Sequence, residues 1–114
     1  LFRRFYRRRH AEKIIFEAFR EETDNIPEWF VDLRRGTPEE DRRGIDAVCQ
    51  TDVGKVYLQI KSSSAGEEKF RSEHFRKPIE VVVVRSGDSE AIIRAKALTA
   101  IKAQRDKFLA KRNL

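Results

Sequence analysis

Residues 44–61, GIDAVCQTDVGKVYLQIK, have the pattern of two β-strands joined by a tight turn. Apolar and polar residues alternate on both sides of an Asp-Val-Gly triplet, and such a triplet is typical of a β-hairpin turn. A two-residue loop at Val53-Gly54 would place Asp46 directly opposite Lys61 on the neighbouring strand. We therefore predict a hairpin at the centre of the fold.

The two faces of this hairpin differ in character, because side chains alternate between faces with period two. One face is apolar and consists of Ile45, Ala47, Cys49, Val56, Leu58 and Ile60. The other face carries an acid, an amide and an amine, namely Asp46, Gln59 and Lys61. Two interpretations are open: a solvated face with a cross-strand ion pair, or oxygen ligands for Mg²⁺ beside a lysine that holds phosphate.

Composition points to one small basic domain over residues 1–114. Net charge is +6, from 25 lysines and arginines against 19 acids. Such an excess, without a lipid-binding pattern, favours nucleic acid as the partner. No apolar run is long enough for a membrane span and no signal peptide is visible, so we expect a cytoplasmic protein. The single cysteine, Cys49, cannot form an internal disulfide and is expected to be a small buried hydrophobe.

A helix is predicted over residues 3–23, because apolar residues recur there at helical spacing: Ala11, Ile14, Ile15, Ala18 and Phe19. Glu12 stands at the margin of this apolar stripe. It either reaches water or projects into a site shared with the hairpin, and Glu17 is the second candidate for that role.

A strand is predicted over residues 28–35, where alternation gives one face with Trp29, Val31 and Leu33. Residues 36–44 are predicted to be a polar loop. Its acids have two interpretations, as helpers in metal binding or as solvated loop residues, and the solvated loop is favoured: Glu39, Glu40 and Asp41.

The C-terminal half contains a capping box that predicts a short helix over residues 64–77. The valine run 81–84 predicts a strand over residues 79–85 that is covered by helices on both faces. Residues 89–112 are predicted to form one long helix, with a short extra strand over residues 90–94 as the alternative. The order helix, three strands, helix, strand, helix predicts an α/β fold with a mixed central sheet flanked by helices, in which the fourth strand pairs in parallel.

This order and these motifs resemble the PD-(D/E)xK nuclease superfamily, including its Mrr-like and Holliday-junction-resolvase-like members. The superfamily has a restriction endonuclease-like αβββαβ core, with an acid at the start of the second strand and an acid-x-Lys motif on the third. Asp46 and the Gln59-Ile60-Lys61 triplet stand at the matching positions, and Glu12 matches an acid of the first helix.

The resemblance implies a metal-dependent endonuclease that hydrolyses DNA phosphodiester bonds, with DNA favoured over RNA. Asp46, Gln59, the carbonyl of Ile60 and Glu12 would hold Mg²⁺, with Mn²⁺ as a substitute. Lys61 would position the attacking water and stabilise charge on the phosphoryl oxygens. Backbone phosphates would contact Arg3, Arg4, Arg7, Arg8, Arg9, Ser62 and Ser63.

Gln59 departs from the family pattern, because an amide oxygen brings no charge to the metal. This departure keeps a second function open, that of an inactive nucleic-acid-binding module within a larger assembly. A third is a basic scaffold domain that binds another protein. The family also includes enzymes that act as dimers, so a homodimer is compatible with the resemblance.

Overall fold

The computed structural model describes residues 2–20, 26–62 and 78–112, with the side chains of the first helix described from Ala11 onward. The helix predicted over residues 64–77 lies outside these ranges. The elements in chain order are α1 (Phe2–Arg20), β1 (Phe30–Arg35), α2 (Pro38–Arg42), β2 (Ala47–Thr51), β3 (Gly54–Lys61), β4 (Ile79–Val83) and α3 (Glu90–Arg112).

The four strands form one mixed sheet in the order β1-β2-β3-β4. β1 with β2 and β2 with β3 are antiparallel, whereas β3 and β4 are parallel. The predicted antiparallel meander followed by a parallel strand is therefore confirmed, as is the α/β class. A parallel pair needs a long crossover connection, and residues 62–78 supply that length.

The hairpin turn differs from the prediction by its position. Thr51 pairs with Gly54, so the two-residue loop is Asp52-Val53 rather than Val53-Gly54. The Thr51 hydroxyl fixes this loop, since it donates to the Gly54 carbonyl at 2.7 Å and accepts the Val53 N–H at 3.3 Å. Gly54 has a φ of 141°, which residues with a side chain rarely adopt.

The new turn position moves the register of the hairpin by two residues. Ala47 lies opposite Leu58, so Asp46 faces Gln59, and its predicted position opposite Lys61 is wrong. A shift of one residue would have exchanged the two faces, but a shift of two leaves every side chain on its predicted face. The polar group on one face and the apolar group on the other are thus preserved.

β1 contains a bulge that the alternation did not predict. Its pairing with β2 shifts between Phe30 and Asp32, which makes Val31 an extra residue in the strand. Val31 is 64% exposed, and the prediction that it shares a face with Leu33 is wrong. Because of the bulge, Phe30 and Leu33 both pack against the core.

The core lies between one face of the sheet and the two long helices, which also pack against each other. Its sheet side is the predicted apolar face of the hairpin without Ile45, extended by Val82 and Val84. Its helix side consists of Ala11, Ile15, Ala18, Ile93, Ala97 and Ile101. Burial of these apolar groups is the main favourable term in folding.

β4 is less buried than its valine run predicts. Val82 and Val84 are buried, but Val81 and Val83 are only half-buried. Within the described residues β4 pairs with β3 alone, so it forms an edge of the sheet there. The helix predicted over residues 64–77 lies outside the described residues, so the coverage of β4 by helices on both faces stays a prediction.

Residues 38–42 form a short helix, α2, where a polar loop was predicted. Thr37 is its N-cap, and Glu40 closes a capping box with Thr37 in both directions. Pro38 occupies the first turn, where the missing N–H costs nothing.

The predicted C-terminal helix is confirmed as α3, and Ser89 caps it by accepting the Ile92 N–H at 3.2 Å. None of the helices in the described ranges is long and apolar enough to cross a membrane.

Candidate metal centre

Three carboxylates from three different elements meet at one place in the fold. They belong to Glu12 of α1, Asp41 of α2 and Asp46, which directly precedes β2. One ligand oxygen from each lies within 4.8 Å of the other two. We call these three residues the acid cluster. Like charges this close repel, and a divalent cation offsets that repulsion.

Asp46 is held by the main chain of its neighbours. Its N–H donates to the Leu58 carbonyl at 2.8 Å, and its carbonyl accepts the Gly36 N–H at 3.0 Å. One carboxylate oxygen accepts the Ile60 N–H at 2.8 Å. The side chain is only 4% exposed, so these contacts fix the carboxylate within the fold rather than on a solvated surface.

Gly36 permits the close approach that brings β1 and Asp46 together. A Cβ at this position would lie 2.3 Å from the Ile45 carbonyl oxygen, well inside van der Waals contact. A larger residue would push the loop before α2 away from the start of β2, and the acid cluster would widen.

Asp41 reaches the cluster because α2 is fixed at both ends. At its start, Glu40 accepts the Thr37 N–H at 2.9 Å. The carboxylate of Glu40 also accepts two bonds from Arg34 of β1, at 2.8 and 3.3 Å. At its end, the Glu40 carbonyl accepts the Ile45 N–H at 3.0 Å. Arg34, followed by the Thr37 N–H, lowers the pKa of Glu40 to about 2, so its carboxylate is charged at neutral pH.

Glu12 is placed by the packing of α1. Its neighbour Ala11 and the next-turn residue Ile15 are buried in the core, which leaves Glu12 half-buried at the margin of that face. Glu17, the second candidate, instead pairs with Lys13 at 3.9 Å. The structure therefore brings Glu12, and not Glu17, together with Asp46.

Gln59 and Lys61 lie on β3 beside the cluster. Gln59 is only 2% exposed, and its Oε1 is the one buried side-chain N or O atom of the described chain without a hydrogen-bond partner. An orphaned buried oxygen is costly unless something binds it. Gln59 stands opposite Asp46. Its amide oxygen is a hard donor of the kind that Mg²⁺ prefers. Lys61 is half-buried at the end of the strand, two residues further on the same face.

Some of the predicted phosphate contacts can be placed and others cannot. Ser62 follows β3 and is exposed. Ser63 lies outside the described residues. The five N-terminal arginines belong to α1 by their backbone, but their side chains are outside the described part: Arg3, Arg4, Arg7, Arg8 and Arg9.

Cys49 takes no part in this site. It is completely buried in the core, as predicted. Burial raises the pKa of its thiol to about 12, so it stays protonated at neutral pH and is neither a nucleophile nor a metal ligand.

Asp41 is the member of the cluster that sequence reasoning did not select. The loop predicted over residues 36–44 favours solvated acids there, whereas the structure has the helix α2 at Pro38–Arg42. The Thr-Pro-Glu-Glu sequence at residues 37–40 carries the signal that could have corrected this, since it combines a capping box with an early proline. A helix that is fixed at both ends holds its acidic side chains in defined directions, whereas a solvated loop does not.

Comparison of the chain with protein-family models, with curated proteins and with solved structures gives no match. The arguments for function therefore come from the chain itself.

Proposed function

We propose that this protein is a metal-dependent nuclease that hydrolyses phosphodiester bonds, with DNA as the favoured substrate. The observation that carries the proposal is the acid cluster, in which Glu12, Asp41 and Asp46 from separate elements present oxygens within 4.8 Å of one another. The orphaned Oε1 of Gln59 is the second support. A restriction endonuclease-like core, as the sequence resemblance implies, belongs to the same proposal.

The three carboxylates and Gln59 would hold Mg²⁺, or Mn²⁺ in its place. A cation bound there would neutralise charge on a phosphodiester and acidify water. The carbonyl of Ile60 is a further oxygen ligand in the proposal. It belongs to the residue whose N–H already anchors Asp46.

Other residues of this protein would position the attacking water and bind the phosphates. Lys61 would position water beside the phosphate and stabilise the charge that develops on its oxygens. Ser62 and the N-terminal arginines would hold the backbone phosphates without regard to sequence. A homodimer and a cytoplasmic location stay predictions from the sequence.

The test is cleavage of plasmid and oligonucleotide DNA with Mg²⁺ or Mn²⁺. We expect Asp46→Asn and Lys61→Ala each to lower the rate at least about 100-fold, since each removes a group that acts on the transition state. Asparagine can still accept the Ile60 N–H through its amide oxygen, so the fold should survive.

Matched controls are Asp106→Asn and Lys111→Ala, which make the same chemical changes on exposed positions of α3. Both should cut like the wild type. Activity that survives both site variants would contradict the assignment.

A nucleic-acid-binding module without cleavage is the second candidate, and Gln59 favours it because the family pattern has an acid there. It predicts binding that weakens with salt and no cleavage with either metal.

A further inference from the structure

A groove of about 770 Å³ runs between α1 and the edge strand β1. Its basic lining residues are Lys13, Arg20, Arg34 and Arg35, and its acidic ones are Glu17 and Asp32. Two of these cations have an acidic partner, because Lys13 lies 3.9 Å from Glu17 and Arg34 pairs with Glu40 at 2.8 Å. Within the described part of the chain, Arg20 and Arg35 have no carboxylate partner.

The side chain of Arg35 is oriented by an aromatic ring of α1. Its guanidinium lies over the ring of Phe16, with Cζ 5.2 Å from the ring centroid. Stacking on an aromatic ring fixes the plane of a guanidinium and leaves its N–H edges available. An arginine that is oriented in advance loses less side-chain entropy when it binds a phosphate.

The groove also has an aromatic floor. Phe19 of α1 and Phe30 of β1 stack with their centroids 5.1 Å apart and their planes 5° from parallel, and both line the groove. Aromatic groups beside cations are the combination that binds single-stranded nucleic acid, because unpaired bases offer their faces for stacking.

At one end of this groove, two lining residues are next in the chain to residues that belong to the acid cluster or are bonded to it. On the helix side, Lys13 directly follows Glu12. On the strand side, Arg35 directly precedes Gly36, whose N–H donates to the Asp46 carbonyl at 3.0 Å. The groove then extends away along α1 to Arg20 and along β1 to Phe30, over about 10 to 17 Å by the rise of a helix and a strand.

We propose that this groove holds a single strand of nucleic acid on one side of the acid cluster, with Arg20 and Arg35 on its phosphates. The inference rests on the proposed function, because it makes the groove the path of the substrate strand. It narrows the substrate class to DNA with an unpaired stretch next to the bond that is cut.

The experiment measures binding of a fluorescein-labelled oligothymidylate of about 12 nucleotides to the full chain by fluorescence anisotropy. EDTA removes metal, so binding is read without cleavage. Arg20→Glu and Arg35→Glu should each raise Kd about tenfold, and Arg20→Gln or Arg35→Gln should lower the salt slope by about 0.7. Both positions are exposed, so the variants should fold.

Lys111→Glu is the matched control, since it makes the same charge change at an exposed position of α3 that does not line the groove. It should bind like the wild type. Equal losses in the control and the groove variants would show a general charge effect and overturn the proposal.

Two further comparisons test the chemistry of the ligand. A duplex of the same length should bind about tenfold more weakly than the single strand, because paired bases cannot stack on the groove. Equal affinity would overturn the single-strand assignment. Efficient displacement of the oligonucleotide by poly-glutamate would indicate an acidic peptide on the free edge of β1, and would also overturn it.

Asp46→Asn separates the two proposals. It should bind the oligonucleotide in EDTA at least as tightly as the wild type while losing cleavage. If the groove variants bind normally and the wild type still cuts, the groove inference fails and the nuclease proposal stands. If the groove variants lose binding but the wild type never cuts, the nuclease proposal fails.

Discussion

Asp41 is the member of the acid cluster that comes from α2, and Gln59 lies beside the cluster on β3. The family that the sequence resembles carries an acid where this chain has Gln59, and the carboxylate charge is missing there. Asp41 supplies one from a different element, within 4.8 Å of Glu12 and Asp46. In the nuclease proposal, the total charge around the metal is thus kept while one ligand comes from a new position.

The proposed role of Asp41 can be tested by removing its charge and placing a carboxylate at position 59 instead. Asp41→Asn should weaken Mn²⁺ binding about 10- to 100-fold, because a hard cation loses one anionic ligand. Adding Gln59→Glu to Asp41→Asn should restore much of that affinity, since glutamate has nearly the same shape as glutamine. Isothermal titration with Mn²⁺ measures both effects.

Asp106→Asn on α3 serves as the control for loss of one remote carboxylate. Metal affinity that is unchanged in Asp41→Asn would show that Asp41 is not a ligand. A double variant no better than Asp41→Asn would argue against Gln59 as part of the same site.

At the scale of elements, α2 is the unit that directs Asp41, and Glu40 is its anchor. Glu40 binds Arg34 of β1 through its carboxylate and Ile45 through its carbonyl. The short helix is therefore fixed to the strand before it and to the residues after it. It contributes no buried residue, so polar contacts alone hold it in place.

The Glu40 contact gives a specific pH dependence of stability. Its folded pKa of about 2 lies below the ordinary value of 4.5, so its contribution is complete above the unfolded pKa and is lost as pH falls from about 4.5 to 2. Glu40→Gln should lower the free energy of unfolding by about 1 kcal/mol at pH 7, a modest value because Arg34 is partly exposed and water screens the pair.

Urea unfolding of the wild type and Glu40→Gln between pH 2.5 and 7 measures this dependence. The difference between the two proteins should shrink towards the acidic end. Glu39→Gln, whose pair with Arg43 is exposed, is the control and should differ little from the wild type. A difference for Glu40→Gln that stays constant with pH would contradict the assigned pKa.

At the scale of the whole molecule, the acid cluster exists only when α1 is docked on the sheet. Glu12 comes from α1, and that helix is held by Ile15 in the core and by a bond from Arg94 of α3 to the Ala18 carbonyl at 2.9 Å. A metal that binds all three carboxylates therefore binds the folded state and not the unfolded chain. Binding and global stability are linked.

We expect Mn²⁺ at about 100 times its Kd to stabilise the protein by about 2.7 kcal/mol. For a domain of this size, that corresponds to a rise in Tm of roughly 10 °C. Asp46→Asn should lose the rise. Differential scanning calorimetry with and without Mn²⁺ measures it.

Ile101→Ala is the matched control for instability without loss of the site. Ile101 is completely buried in the core, so its truncation should cost about 2–4 kcal/mol and lower Tm. The rise with Mn²⁺ should persist in this variant. A rise that also persists in Asp46→Asn would place the metal elsewhere.

The sequence by itself determined the order of the two long helices and the four strands, the α/β class and the two faces of the hairpin. These depend on local patterns, since alternation with period two fixes which side chains share a face. It also identified Asp46 and Gln59 as candidate site residues, because side chains stay on the same face of the sheet when the register shifts by two residues. The turn itself was ambiguous, as Asp52-Val53 and Val53-Gly54 both suit a tight loop.

Only the tertiary structure decided which acids meet. The sequence favours Glu12 and keeps Glu17 as a second candidate, and the docking of α1 on the core places Glu12 in the cluster and Glu17 in the lining of the groove. Asp41 joins the cluster because Arg34 of β1 binds Glu40, the neighbour of Asp41 in α2. Such placements depend on packing between elements, which no local pattern encodes.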